Sequence, residues 1–165
     1  MKNKKTIQTA MEKYYKILNQ IITESFPTLK NQEIKIIEDK KILLSADAKK
    51  FNNYLRLRLN YDIRDYSNEL VKGLFSHELS HFEYFLILNK LNFFIYEIKY
   101  NFSKQYRKKI ERETDINAIK KGYARELYAQ RKLKWDLKDR KIEKLKKNYL
   151  SPEEIKKISI KLKKW

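Results

Sequence analysis

Leu70-Val71-Lys72-Gly73-Leu74-Phe75-Ser76-His77-Glu78-Leu79-Ser80-His81-Phe82-Glu83-Tyr84-Phe85-Leu86 is the stretch whose reading decides the fold. Its apolar residues recur at helical spacing and cover most of the circumference, and a helix apolar nearly all round is a buried one. Asp65 or Ser67 is placed to cap it, with Glu69 in the first turn, where a carboxylate suits the positive helix end. Inside it, His77-Glu78-Leu79-Ser80-His81 contains both histidines of the chain. Side chains four apart share a helical face, so His77 and His81 can aim two imidazoles at one ion. Glu78 is turned about 100° further round, where its carboxylate can reach a water held by that ion. Gly73 costs helix stability and lies four residues before His77. Close approach of a neighbouring strand is the expected reason.

Composition narrows the chemistry. The 165 residues suit a single folded unit with a sizeable core, and two glycines and two prolines leave few turn-formers for a many-stranded sheet. A largely helical α+β chain is expected. Without cysteine there are neither disulfides nor thiolate ligands, so histidine and carboxylate are the strong metal donors. The 39 bases against 21 acids, net +18, admit nucleic acid or an acidic protein as a partner, or simply a solvated basic surface. The basic start Met1-Lys2-Asn3-Lys4-Lys5 is followed by no continuous apolar run, so no signal peptide is expected. Charged and amide residues interrupt the aromatic-rich stretch 82–98 before it could span a bilayer. The expectation is a cytoplasmic protein without a membrane partner.

The rest of the chain supplies the cover. Ile7, Met11, Tyr14, Leu18, Ile21 and Ile22 mark an amphipathic helix ending near Phe26-Pro27. Ile34, Ile36 and Ile37, then Ile42-Leu43-Leu44, read as two strands of a hairpin. Residues 54–61 alternate, with Leu55, Leu57 and Leu59 on one face and Arg56 and Arg58 on the other, giving a half-buried third strand with a helix as the rival reading. Asn89 to Asn92 suggests a bend between helices, followed by a basic connection to about Lys109.

A third ligand has to come from elsewhere, and the helical segment from Glu111 to Ile119 is the best source. Glu111 and Asp115 are four apart, on one face with Ala118 and Gly122, small residues that would let this helix lie close to the histidines. A carboxylate beside an Ile/Ala stripe needs a partner if it is buried. A solvated charged face paired with arginines is the alternative.

His-Glu-x-x-His followed thirty residues later by Glu-x-x-x-Asp resembles the gluzincin class of zinc metallopeptidases, and most of all the small single-domain minigluzincins. The resemblance covers roughly residues 5–125. It implies an N-terminal helix, a small three-stranded sheet, a buried active-site helix, a glutamate helix and, here, basic C-terminal helices. It further implies Zn2+ held by His77, His81 and Glu111, Glu78 as general base, and Asp115 supporting the first histidine. The substrate would be a peptide or protein, paired along the third strand as the edge of the sheet. Glu113 is an alternative ligand, although an ideal helix turns it about 200° from Glu111. The aromatic insert between His81 and Glu111 and the lack of a second domain depart from the pattern. The class's transition-state donor has only Tyr123 and Tyr128 as matches, both by position alone.

Residues 131–165 hold fourteen bases and five acids, net +9. Leu127, Leu133, Leu137 and Leu145 run along the first part of this tail, and Ser151-Pro152-Glu153-Glu154 is a capping box opening a last helix with Ile155, Ile158 and Leu162 on one face. The expected division is a zincin-like domain over 1–128 and a basic helical extension over 129–165 that packs on or flanks it, tracks nucleic acid, folds over the cleft, or stays solvated. The alternatives to a peptidase are a nucleic-acid-associated SprT-like protease, a family that uses a third histidine absent here, and a non-catalytic basic scaffold.

Overall fold

A computed structural model describes residues 2–42, 45–137 and 140–165. In chain order it contains α1 (Lys2–Ser25), β1 (Ile34–Glu38), β2 (Ala46–Lys50), β3 (Leu55–Leu59), α2 (Asn68–Ile87), α3 (Lys90–Phe102), α4 (Lys104–Lys120), α5 (Ala124–Trp135), α6 (Arg140–Lys146) and α7 (Pro152–Lys161), with short 3-10 turns at Pro27–Leu29 and Tyr61–Asp65. This is the expected α+β, mostly helical architecture. No helix among the described residues is long and apolar enough to cross a membrane.

α2 runs through the middle. Ser67 caps it, its hydroxyl accepting the Leu70 N–H at 3.3 Å. From Gly73 to Phe82 every residue is buried, because α1, α4, α5 and β2 pack around it. The two buried serines cost little, since Ser76 Oγ donates to the Gly73 carbonyl at 3.0 Å and Ser80 Oγ to that of Ser76 at 2.8 Å. Gly73 does mark a close approach, but of a helix rather than a strand: a Cβ there would lie 2.2 Å from the Glu126 carbonyl oxygen on α5.

The sheet departs from the expected hairpin. Its order is β1-β3-β2, with β1 parallel to β3 (Ile36 opposite Leu57) and β2 antiparallel to β3 (Ala48 opposite Leu57). β3 keeps the predicted alternation, with Leu55, Leu57 and Leu59 buried, and the strand with the most apolar face takes the centre. The second strand among the described residues is therefore Ala46–Lys50. Ile42 is buried outside any strand, its carbonyl held by Asn60 Nδ2 at 2.7 Å, while Leu43 and Leu44 lie outside the described residues. β2 draws its stability from pairing with β3 and from Asp47, which Arg58 grips with two nitrogens. The outer strand on the cleft side is β2, so the edge expected at β3 belongs to β2.

Elsewhere the helix signals hold. α1 stops at Ser25 before Pro27 with Tyr14, Leu18, Ile21 and Ile22 buried; the side chains of Ile7 and Leu145 lie outside the description. Asn89 caps α3, accepting Asn92 N–H at 2.8 Å, and the connection beyond it is helical, α3 passing into α4 at Ser103. Gly122 is not on the α4 face with Ala118. It follows the C-cap at φ 99°, with Tyr123 N bonded to the Ala118 carbonyl (3.1 Å) and Gly122 N to that of Ile119 (3.0 Å), the Schellman turn into α5. Ser151 and Glu154 form the expected capping box. Leu127, Ala118, Leu150 and Ile155 close a second small core, while Leu133, Leu137 and Leu162 are exposed.

Candidate metal centre

His77 and His81 project from the buried face of α2 toward Glu111 on α4, all three at most 5 % exposed. Glu111 Oε2 lies 3.1 Å from His77 Nε2 and 3.5 Å from His81 Nε2. Ligands about 2.0–2.1 Å from a tetrahedral ion stand roughly 3.3 Å apart, which these spacings bracket. Oε2 is buried and makes no well-aligned hydrogen bond among the described residues, although both imidazoles lie within ion-pair distance of it. A buried carboxylate needs a positive partner, which a bound metal ion or a protonated imidazole supplies. The three residues form a buried group close enough to hold a metal ion.

The far sides of the ligands are occupied. His77 Nδ1 is 2.8 Å from Asp115 Oδ1, the same oxygen that accepts from Arg131 Nη2 at 2.6 Å, while Oδ2 accepts the Leu150 N–H at 3.0 Å. Burial works against the Asp115 charge, but Arg131, His77 and the Leu150 amide outweigh it and hold the carboxyl below its ordinary range. Thr114 Oγ1 donates to the Ile110 carbonyl at 2.9 Å and lies 3.4 Å from His81 Nδ1 as its acceptor. Tyr100 donates to Glu111 Oε1. Each imidazole is thus oriented by its Nδ1–H, which leaves Nε2 free to ligate.

The titrating groups respond to this crowding. Burial alone would lower His77, yet Asp115 and Glu111 lift it to about 9. Glu111 is held well below its ordinary value, since His81 and His77 outweigh its desolvation. Glu78, beside them in the cleft, is pushed up chiefly by burial, with Glu111 adding to the rise. A carboxylate with raised proton affinity is suited to accept a proton and give it back.

No family model, curated protein or solved structure matches this chain. Its chemistry has to be read from its own geometry.

The ligand group opens into a cleft of about 480 Å³. One wall is β2, from Ala46 to Lys49, with Arg56 and Arg58 behind it. The opposite wall is the inner face of α3, with Phe93, Tyr96 and Tyr100. Tyr149 closes one end, its ring centroid 5.6 Å from that of His77 and 4.3 Å from the Arg131 guanidinium. Burial, and then the Glu111 charge, raise the Tyr149 phenol well above its ordinary value, so it remains a donor.

Of the residues named from sequence, His77, Glu78, His81, Glu111 and Asp115 come together. Glu113 does not: it is exposed and sits 3.8 Å from Lys109 along α4. Tyr123 lies against α1, its hydroxyl 3.3 Å from Glu24 and its ring stacked on Phe26, so it does not serve the cleft. Tyr128 packs edge-on to Trp165. Sequence reading missed Arg131, Tyr149, Tyr100, Thr114 and the Leu150 amide. Thr114 carried a faint signal, three residues after Glu111 and so on the same face; the others sit too far along the chain for spacing to reveal. The division drawn at 128 falls inside α5, and residues from both sides of it meet at Asp115.

Proposed function

We propose that this chain is a zinc-dependent peptidase of the gluzincin kind. The observation that carries the reading is the convergence of His77 Nε2, His81 Nε2 and Glu111 Oε2 beside Glu78 at the bottom of an open cleft. Two neutral imidazoles and one carboxylate are a donor set of catalytic zinc, and Asp115 behind His77 supplies the outer carboxylate such histidines use. Zinc bound there supplies Lewis acidity, bringing the pKa of a water toward about 7.

The chain's own residues do the rest. An extended peptide lies along β2, whose outer edge is unpaired among the described residues, and takes main-chain hydrogen bonds there. Glu78 accepts a proton as water oxygen bonds to the scissile carbonyl carbon, then delivers it to the amine nitrogen as the C–N bond breaks. Tyr149, held protonated at the end of the cleft, donates to the oxyanion that develops on the carbonyl oxygen. Arg131 and Asp115 keep His77 in the tautomer with its proton on Nδ1.

The test pairs metal analysis with cleavage of an unbiased peptide mixture by wild type and Glu78→Gln. Expected are one zinc per chain in both and a loss of cleavage of about 10²–10⁴-fold in the variant. Equal cleavage by the two proteins would remove Glu78 from the reaction. A chain cut near Tyr128 is no substitute, since it would lose Arg131, Tyr149 and the Leu150 amide together.

A further inference from the structure

α3 has two apolar faces. Phe93, Tyr96 and Tyr100 turn inward and wall the cleft. On the opposite side Leu91, Phe94, Ile95, Ile98 and Phe102 are 66, 61, 38, 44 and 87 % exposed. At about 100° per residue these five fall within an arc of about 100°, a continuous stripe rather than scattered surface residues. Ile87, 77 % exposed, extends it back to the end of α2. α3 packs chiefly on α4, so the stripe faces outward from the body of the protein. A contiguous exposed apolar face marks an interaction surface.

Charge decides among occupants. Residues 87–109 carry six bases and one acid, and Lys90 and Lys99 are exposed on α3 to either side of the stripe, with Lys104 exposed just past its end. A second copy would bring another chain of net +18 against this one. A nucleic-acid backbone would satisfy the lysines but not the phenylalanines. An anionic lipid interface satisfies both, with apolar side chains at the acyl boundary and lysines among the headgroups.

We infer that the outer face of α3 docks this protein on an anionic lipid surface. The inference reverses the expectation of no membrane partner, which rested on the lack of a spanning segment; a helix lying in the interface needs none. It stands apart from the peptidase reading, because neither the metal nor Glu78 enters it. Since the same helix walls the cleft, docking sets the cleft mouth beside the membrane.

The test is co-sedimentation of the full-length protein with phosphatidylcholine vesicles, with and without phosphatidylglycerol. The comparison protein carries Phe94→Ser and Phe102→Ser, both exposed positions, and its circular dichroism and zinc content should match wild type. Binding that requires phosphatidylglycerol and falls at least about tenfold in the double variant is expected. The inference is overturned by any of three results: no vesicle binding, binding equal in the two proteins, or a stripe-dependent self-association or DNA retention in place of vesicle binding.

Discussion

Asp115→Asn removes one charge at the place where four parts of the chain meet. Oδ1 serves both His77 Nδ1 and Arg131 Nη2, and Oδ2 serves the Leu150 N–H. Asparagine offers one oxygen and one NH2. With the oxygen toward His77 and Arg131, the NH2 meets the Leu150 N–H donor to donor; flipped, it meets two donors. At least one buried donor is unsatisfied either way, at about 1–3 kcal/mol. Arg131, 2 % exposed, also loses its counter-charge, and breaking a buried pair costs about 3–5 kcal/mol. The two costs overlap, so about 3–5 kcal/mol in all is expected in metal-free protein. At about 2–4 °C per kcal/mol for a chain of this size, the midpoint should fall by roughly 6–20 °C. Zinc affinity should fall about 10–100-fold, as it does when the outer partner of a ligating histidine is lost.

Arg131→Met completes a double-mutant cycle. Alone it costs a similar amount, by leaving Asp115 buried without its cation. Together with Asp115→Asn neither charge remains, so the double variant should be more stable than the summed losses predict by about 2 kcal/mol, within the range of directly paired residues. Urea unfolding in chelator reads stability, and competition with a chromophoric chelator reads zinc affinity. Additive losses, or an Asp115→Asn protein with unchanged zinc affinity, would refute the account of how His77 is held.

Two further substitutions test the frame around the site. Gly73→Ala should gain up to about 1 kcal/mol on helix propensity, yet its Cβ meets α5 backbone at 2.2 Å from Glu126 O and 2.9 Å from Leu127 N, so a net loss of about 1–3 kcal/mol is expected. An unfolding midpoint at or above wild type would show that α5 yields at no cost. Lys134 is held down at about 8, by burial first and then by Arg131. A base whose folded pKa lies below its unfolded value carries a charge-burial penalty that is full below pH 8 and relieved as pH rises toward 10.5. Lys134→Met should therefore be the more stable protein at pH 7, by about 1–3 kcal/mol, with a gap that closes between pH 8 and 10.5. A gap constant across that window would assign the change to packing.

How much could be read in advance depended on whether a residue's partner was close in sequence. His77 and His81, Glu111 and Asp115, the Ser67 and Ser151 caps and the alternation of β3 are all local patterns, and the structure contains each. β2 was missed because Ala46-Asp47-Ala48-Lys49-Lys50 has no β-branched residue; what makes it a strand is the antiparallel register with β3, a non-local pairing. Gly73 signalled a close approach but not by what, since glycine reports the missing Cβ and not the neighbour. Tyr123 was named by position after α4, and the Schellman turn at Gly122 then swings it toward Glu24 and Phe26.

The tail was the least legible segment, and Asp115 shows why. Fourteen bases in residues 131–165 left packing on the domain, tracking nucleic acid, covering the cleft and solvation all open, and Arg131, Tyr149 and Leu150 turn inward among them. Arg131 and the Leu150 amide reach a carboxylate 16 and 35 residues away in sequence, His77 reaches it from 38 residues on the other side, and Tyr149 packs against both His77 and Arg131. No period in the sequence encodes such a junction. Under the proposed metal-binding reading, folding of the tail and binding of the ion are therefore not separate events. Whatever binds His77, His81 and Glu111 in the folded state alone stabilises the whole arrangement by mass action. The α5 arginine and the turn before α7 share in that stabilisation through Asp115, so the basic segment helps hold His77 in place.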